Sequence, residues 1–322
     1  MNKKNNKNNK NNKNNKNKNK NNNIKNNEQN KGSDSQKQIV QWFPGHMAKT
    51  RRLIKESLPF VDLVTEIVDA RIPLSSSNPE LSEMIGDKPR IVLLNKCDVA
   101  DENATKQWVE YYKKNGMYAL PVDCRSGKAL NAYLPLVREI LKDKIQRNTE
   151  KGMAGKPLRV MVVGIPNTGK SSFINKMAGR NRAKVADKPG VTRSNSWFAV
   201  GNGIELLDTP GVLWPKFDDP KVGDKLAFIG SVKDEVLDSE TLALKLITVL
   251  KNDYAERLTE RFRITDFSDK EDYEILEMIG RKRGFLISGG EIDTERASVI
   301  LLDEYRAGKL GKLTLEYPHE YE

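Results

Sequence analysis

Six short apolar, β-rich runs punctuate the chain from residue 63 onward: 63–69, 90–95, 119–123, 158–164, 197–200 and 204–208. They read as near-continuous apolar stretches, the pattern of strands covered on both faces. Helical stretches lie between them. Asp101 is positioned to cap a helix that carries Trp108 and Tyr111 and ends at Gly116, and another helix is expected from about 130 to 147. Strands alternating with helices predict an α/β fold, a mostly parallel sheet with helices on both faces.

After Pro215 the texture changes. Leu242, Leu246, Ile247 and Leu250 mark one amphipathic helix. Tyr273, Leu276 and Ile279 mark a second, expected to stop at Gly280. Ala297, Ile300, Leu301 and Tyr305 mark a third, entered at Asp293 and left at Gly308. These predict a small all-α C-terminal domain. At the other end, residues 1–38 hold 17 asparagines and no aromatic residue, and Ile24 is their one large aliphatic side chain beyond Met1. Nothing there offsets the entropy of ordering the chain. The expected organisation is a disordered Asn/Lys-rich tail (1–38), an α/β domain (39–214) and a helical domain (215–322).

The 322 residues, 37% hydrophobic and 31% charged, suffice for two cores. No run approaches the roughly 20 apolar residues of a membrane span, and the tail has neither the apolar core of a secretory signal nor the arginines of a mitochondrial presequence. Two cysteines, Cys97 and Cys124, make no disulfide framework and suggest a reducing, cytoplasmic setting. With only two histidines besides, an ordinary zinc module is nearly excluded. The net charge of +11 is uneven: the tail carries eleven lysines against two acids, whereas residues 215–322 carry 17 basic and 24 acidic side chains. Tail and α/β domain suit a polyphosphate partner. The tail reads either as a basic arm for RNA phosphates or as compositional drift without a role.

The first specific chemistry is Gly164-Ile165-Pro166-Asn167-Thr168-Gly169-Lys170-Ser171, between the run 158–163 and a helical stretch, 172–177. This is a phosphate-binding loop in its strand–loop–helix context. Its glycines let backbone N–H groups converge on phosphate, helped by the positive end of the helix. Lys170 supplies a charge to the β- and γ-phosphates, Ser171 a hydroxyl to Mg²⁺, and Thr168, Gly169 and Ser172 belong to the same cradle.

Asn95-Lys96-Cys97-Asp98, at the end of the run 90–95, selects the base. The Asp98 carboxylate can accept from both N1–H and the exocyclic amine of guanine, a donor pair adenine lacks. Asp208-Thr209-Pro210-Gly211 sets Asp208 to hold Mg²⁺ through water, with Gly211 beside the phosphates, and Thr192 of Pro189-Gly190-Val191-Thr192 is the expected second hydroxyl ligand. Asp123-Cys124-Arg125 occupies the position where GTPases carry Ser-Ala-Lys against the base. Because the base-reading motifs precede the phosphate loop, the domain resembles a circularly permuted GTPase. Permutation runs the segment after Gly211 directly into the helical domain, a short route from the γ-phosphate to its surface.

Gln41-Trp42-Phe43-Pro44-Gly45-His46-Met47-Ala48-Lys49, the run Ile279-Gly280-Arg281-Lys282-Arg283-Gly284, Gly289-Gly290 and Gly308-Lys309-Leu310-Gly311 resemble the YlqF-type ribosome biogenesis GTPase A family over about residues 39–318. The resemblance implies a cytoplasmic factor that binds the large ribosomal subunit precursor late in assembly and hydrolyses GTP there, stimulated by the particle; a monomer is expected. Where many GTPases orient water with Gln, this chain has Val212, followed by Leu213 and Trp214, so slow intrinsic turnover is expected. The resemblance assigns water positioning to His46, on a mobile Pro44-Gly45 mount, and a K⁺ site to Asn167.

Basic clusters at Arg281, Lys282 and Arg283, at Arg257, Arg261 and Arg263, and at Lys309 and Lys312 read as rRNA-phosphate contacts on an otherwise acidic body. Two rival readings stay open: an RNA-binding placeholder in which GTP acts only as a structural switch, and a nucleotidase that works without RNA.

Overall fold

Strand β1 (Leu63–Asp69) is buried along its whole length and sits in the middle of the sheet. It pairs in parallel with β2 (Arg90–Asn95) on one side and β4 (Leu158–Gly164) on the other. β3 (Tyr118–Val122) continues the sheet beyond β2, and β7 (Ile204–Asp208) beyond β4, both parallel. Antiparallel β6 (Ser196–Gly201) and the two-residue β5 (Lys184–Val185) complete the order β3-β2-β1-β4-β7-β6-β5. The structure, a computed structural model, describes residues 44–179, 184–185, 196–211, 219–232 and 238–321, with the side chains of 44–47 and 184–185 excepted. The tail, Gln41–Phe43, Thr192 and Val212 with Leu213 and Trp214 lie outside the described residues.

Both faces of the sheet are covered, which is why its strands read as continuous apolar runs. Leu63, Ile67, Val160 and Val162 pack against Tyr133 and Val137 of α4 (Tyr133–Ile140) and Phe173 of α6 (Lys170–Ala178). On the opposite face Val64, Met161 and Leu207 meet Ile54 of α1 (Pro44–Ser57) and Leu81 of α2 (Leu81–Ile85). Val68, Val92 and Leu94 meet Trp108 and Tyr112 of α3 (Glu102–Lys114). Asp101 caps α3 as expected, its carboxylate accepting the Ala104 N–H at 2.8 Å.

The 130–147 stretch is not one helix. A 3₁₀ turn (Leu130–Ala132) leads into α4, and the chain breaks at Leu141 before α5 (Lys142–Glu150). Leu141 stays buried in the core while α5 buries no residue, so the chain turns where the apolar stripe ends. Helix α1 begins at Pro44, so Pro44-Gly45, the expected mount of His46, is the first turn of a helix.

Beyond the sheet lie α7 (Pro220–Phe228), α8 (Ser239–Asp253), α9 (Ala255–Phe262), α10 (Asp272–Arg283) and α11 (Thr294–Arg306). Leu226, Leu246, Leu258, Ile279 and Leu301 share one core, and Ile72 and Ile165 from the α/β part belong to it too. Helix α10 does not stop at Gly280. It runs on to Arg283 and ends at Gly284, whose φ of 69° closes the helix. Gly280 is a packing glycine: a β-carbon there would press on Ile292. Leu286 and Ile292 form a single antiparallel bridge between α10 and α11, a small β element in an otherwise helical region.

The last segment returns to the α/β part. Leu313 N–H donates to the Val99 carbonyl at 3.0 Å and Leu315 N–H to the Arg71 carbonyl at 2.8 Å. The Trp108 indole donates to the Glu316 carbonyl at 2.9 Å. The Glu316 carboxylate, fully buried, accepts from the backbone of Leu74 and Ser75 and from Lys225.

Candidate functional site

The carboxyl ends of the parallel strands open onto one edge, the usual ligand position of an open α/β sheet. At this edge β4 leads into the loop 164–169, which turns through Asn167 (φ 62°) and Gly169 (φ 101°) before α6 begins at Lys170. The glycine is required. A β-carbon at Gly169 would collide with the Asn95 amide. Helix α6 points its unpaired first-turn N–H groups into this loop.

Asn95, at the end of β2, joins three loops. Its Nδ2 donates to the Thr168 carbonyl at 2.6 Å, and its Oδ1 accepts the Cys124 N–H at 2.9 Å. Lys96, itself at φ 62°, donates from Nζ to the Asn167 carbonyl and to Asp69 Oδ2, both at 2.9 Å. Asp69 is fully buried at the end of β1 and also holds Arg71 in a bidentate pair at 2.8–2.9 Å. Burial would favour the neutral acid, but the charges of Arg71 and Lys96 prevail and hold the Asp69 carboxyl well below the usual carboxylate range.

These contacts frame a cavity of about 550 Å³. Asn95, Lys96, Asp98, Asp123 and Arg125 line one side; Asn167, Gly169, Lys170, Ser171, Ser172 and Gly211 line the other. Thr168 and Cys124 do not reach it. Thr168 is buried, its hydroxyl donating to the Ile165 carbonyl at 2.9 Å. Cys124 is buried in the core and presents only backbone, and burial pushes its thiol up to about 12. Half-buried Cys97 is likewise raised by burial. Exposed Arg125 lies 3.6 Å from the Asp98 carboxylate.

Lys170 Nζ rests on Asp208 Oδ1 at 2.7 Å. The oxygens here, the Ser171 hydroxyl and the half-exposed Asp208 carboxylate, suit a hard cation such as Mg²⁺. Among the described residues no group of three His, Cys, Asp or Glu side chains forms a metal site, so such an ion would complete its shell from phosphate and water.

Three lining residues lie outside every motif read from the sequence: Val99, Arg306 and Ala307. Val99 could have been found, since it follows the base-reading motif. Arg306 and Ala307 come from the far end of the chain and carry no local signal. Several residues of the basic clusters are engaged within the chain. Arg261 and Arg283 both pair with Glu304, Arg257 pairs with Glu260, and Lys312 with Glu102. Arg283 further stacks on Phe262. Arg281 and Lys282 are exposed and, among the described residues, form no ion pair.

A family model described as "50S ribosome-binding GTPase" matches residues 159–283. Ribosome biogenesis GTPase A of Bacillus cereus is 44% identical over 283 residues, covering 88% of this chain and 95% of that protein. The Priestia megaterium protein of the same name is 46% identical, covering 88% and 98%. The chain belongs to the ribosome biogenesis GTPase A family. It is therefore a GTPase, and GTP with Mg²⁺ is the ligand pair that membership implies. The fold agrees with the family: the GDP-bound structure of YlqF aligns with TM-score 0.58 at 30% identity, covering 83% of this chain and 99% of that one. The GNP-bound YlqF from T. maritima aligns at 0.56 and 31%. A ribosome biogenesis GTPase A with this sheet order is a circularly permuted one, since the strand before the phosphate loop, β4, follows the base-reading β2 in the chain yet sits centrally.

Proposed function

We propose that this GTPase binds the large ribosomal subunit precursor late in its maturation, is stimulated there, and is released when GTP is hydrolysed. The family's name and the "50S ribosome-binding GTPase" description support the particle as partner. The observation that carries the nucleotide reading is the Asn95 amide, which ties the phosphate loop to both base-side loops around one cavity. The GDP and GNP complexes named for the YlqF structures support the same ligand class.

In this reading Asp98 accepts the guanine donors, while Asp123, Cys124 and Arg125 close the base side through backbone and side chain. Lys170 and the N–H groups of Gly169, Ser171 and Ser172 hold the phosphates. Ser171, Thr192 and, through water, Asp208 hold Mg²⁺, which neutralises charge on the β- and γ-phosphates. His46, in the first turn of α1, positions the attacking water; its side chain lies outside the described residues. Asn167 contributes an oxygen to K⁺. Residues 39–214 form the catalytic domain, 215–322 the ribosome-facing domain, and the protein acts as a cytoplasmic monomer. No helix of the described residues is long and apolar enough to cross a membrane.

The test is the GTPase rate with and without purified large subunits. A strong rise supports the proposal. Binding without a rise favours the placeholder reading, and neither effect favours a nucleotidase that works without RNA. Replacing K⁺ by Na⁺ is expected to slow turnover severalfold, and His46→Ala to lower the rate without changing GTP affinity.

A further inference from the structure

The stretch that follows α11 is held from two sides. Leu310 and Leu313 are buried in the core of the helices. Tyr254, between α8 and α9, donates its hydroxyl to the Thr314 carbonyl at 2.5 Å and accepts the Thr314 N–H at 3.2 Å. On its other side the stretch meets the residues just past the base-reading motif. The Leu313 N–H donates to the Val99 carbonyl at 3.0 Å, and the Asp101 N–H donates to the Thr314 hydroxyl at 3.0 Å. Thr314 is fully buried, and it lies 213 residues from Asp101 in the chain.

Asp98 stands in the middle of the turn that these contacts pin. Its carboxylate pairs with exposed Arg125 at 3.6 Å, a solvated contact that holds a side chain only weakly. The backbone of 96–101 therefore sets where the carboxylate points. Before Asp98, the Lys96 ammonium is anchored on Asp69 and on the Asn167 carbonyl. After it, the Val99 N–H turns back onto the Lys96 carbonyl at 3.1 Å, and residues 313 and 314 hold Val99 and Asp101. Asp101 in turn caps α3, whose Trp108 donates to the Glu316 carbonyl. The returning segment thus fixes the far side of the turn as firmly as Asp69 and Asn167 fix the near side.

We propose that Thr314 is a positioning residue for base selection: by holding the Asp101 N–H, its hydroxyl sets the angle at which Asp98 meets guanine. The proposal rests on the reading that Asp98 accepts both guanine donors. To take N1–H and the exocyclic amine together, the carboxylate must lie in the plane of the base with one oxygen on each. A tilt of the turn weakens the paired contact, so discrimination for the amine falls. Thr314 does this without touching the nucleotide. The helical region therefore contributes to guanine selectivity through the segment that it anchors.

The experiment is calorimetric titration of GDP and IDP, with Mg²⁺, into the full chain and its variants, with each thermal midpoint measured without nucleotide. IDP keeps N1–H but lacks the exocyclic amine, so the ratio of the two affinities reads how well Asp98 is aimed. Thr314→Val and Thr314→Ala remove the hydroxyl, and each is expected to lower the GDP/IDP ratio by about fivefold, the scale of one weakened hydrogen bond. Thr314→Ser, which keeps the hydroxyl, is expected to retain the parent ratio. Ile275→Val, in the buried core of the helices, is the control for destabilisation and is expected to lower the midpoint with the ratio unchanged. A parent-like ratio in Thr314→Val or Thr314→Ala overturns the proposal. So does a ratio that falls equally in Thr314→Ser or in Ile275→Val, which marks Thr314 as a packing residue alone. If the parent takes GDP and IDP equally well, or Asp98→Asn keeps the parent ratio, the reading of Asp98 fails and the proposal falls with it.

Discussion

The Nδ2 of Asn95 donates to the backbone carbonyl of Thr168 at 2.6 Å, joining residues 73 apart in the chain. The other end of the same amide accepts the Cys124 N–H at 2.9 Å. One side chain thus fixes the phosphate loop relative to both base-side loops, and it is 3% exposed, so water cannot replace it. Asn95→Ala leaves a buried carbonyl and a buried N–H unpaired. The expected cost is about 2–3 kcal/mol in urea unfolding of the ligand-free protein. GTP affinity is expected to fall as well, because the two halves of the cavity are no longer held in register. A variant as stable as the parent would mean that the loops are held by other contacts.

Gly308 gives a second handle on the same cavity from the opposite end of the chain. Its φ is 72° and a β-carbon would overlap Val99, whose N–H and carbonyl are bonded to Lys96 and Leu313. Gly308→Ala therefore combines left-handed strain with overpacking, expected to destabilise by roughly 2–3 kcal/mol. Displacing Val99 also moves the loop that carries Asp98, so guanine-nucleotide affinity is expected to fall. Adding Val99→Ala removes the severest overlap, that with Cγ1, but leaves the residue-99 β-carbon 2.9 Å away and the backbone strain in place. The double variant is expected to regain part of the nucleotide affinity while staying less stable than the parent, measured by calorimetry and urea unfolding.

Much of this was legible in the chain. β1, β2, β4 and β7 fall where the apolar runs begin and end, because strands buried on both faces leave an unbroken signal. The spacing of the phosphate loop and of Asn95–Asp98 is local chemistry and was readable as such. What escaped was set by contacts distant in sequence. Gly280 reads as a helix end, yet it is a close approach to Ile292 inside α10, while the real stop is the positive-φ Gly284. Helix α9 has a strongly two-sided pattern but only eight residues, too short to stand out against its surroundings. The three cation clusters read as phosphate contacts, but charge alone does not tell a solvated arginine from one held by Glu304, a partner 21 or 43 residues away. Arg306 reaches the cavity only because the chain folds back after α11.

Glu304 separates structural from binding arginines. Arg261 meets it at 2.6 and 2.8 Å, and Arg283 at 3.0 and 3.1 Å, with the Arg283 guanidinium over the Phe262 ring at 5.3 Å. Arg283→Ala removes part of a mostly buried ionic cluster and is expected to destabilise the helical region by about 2 kcal/mol. Arg281 and Lys282 are solvent-exposed, and Arg281→Glu with Lys282→Glu is expected to leave the thermal midpoint within a degree or two, roughly the scale of a surface change. If this face meets rRNA, the same double variant weakens binding to large subunits and flattens its salt dependence. Sedimentation of both variants with the particle, beside their melting curves, separates the two roles. Undiminished, equally salt-dependent binding by the Arg281, Lys282 variant would remove this face from the interface.

Buried titrating groups set the pH range of the fold. Asp69 keeps its charge in the native state to well below the usual carboxylate range, because Arg71 and Lys96 outweigh the cost of burial. The unfolded chain takes up that proton near pH 4 while the native state does not, so stability is full above that value and falls as the pH drops below it. At the other end, burial raises the Cys124 thiol to about 12 and pushes the Tyr112 and Tyr133 hydroxyls above their ordinary values. The unfolded chain releases these protons first, so their contribution is full below about pH 8.5 and is lost as the pH rises through the native values. Urea midpoints are expected to be flat from about pH 5 to 8 and to fall on both sides. Asp69→Asn is the specific check: it is less stable than the parent at neutral pH because it leaves Arg71 buried without its counter-charge, and its gap to the parent narrows as the pH falls below about 4. A gap that stays constant down to pH 2, roughly two units below the ordinary carboxylate value, would show that the Asp69 carboxylate is not held ionised by Arg71 and Lys96.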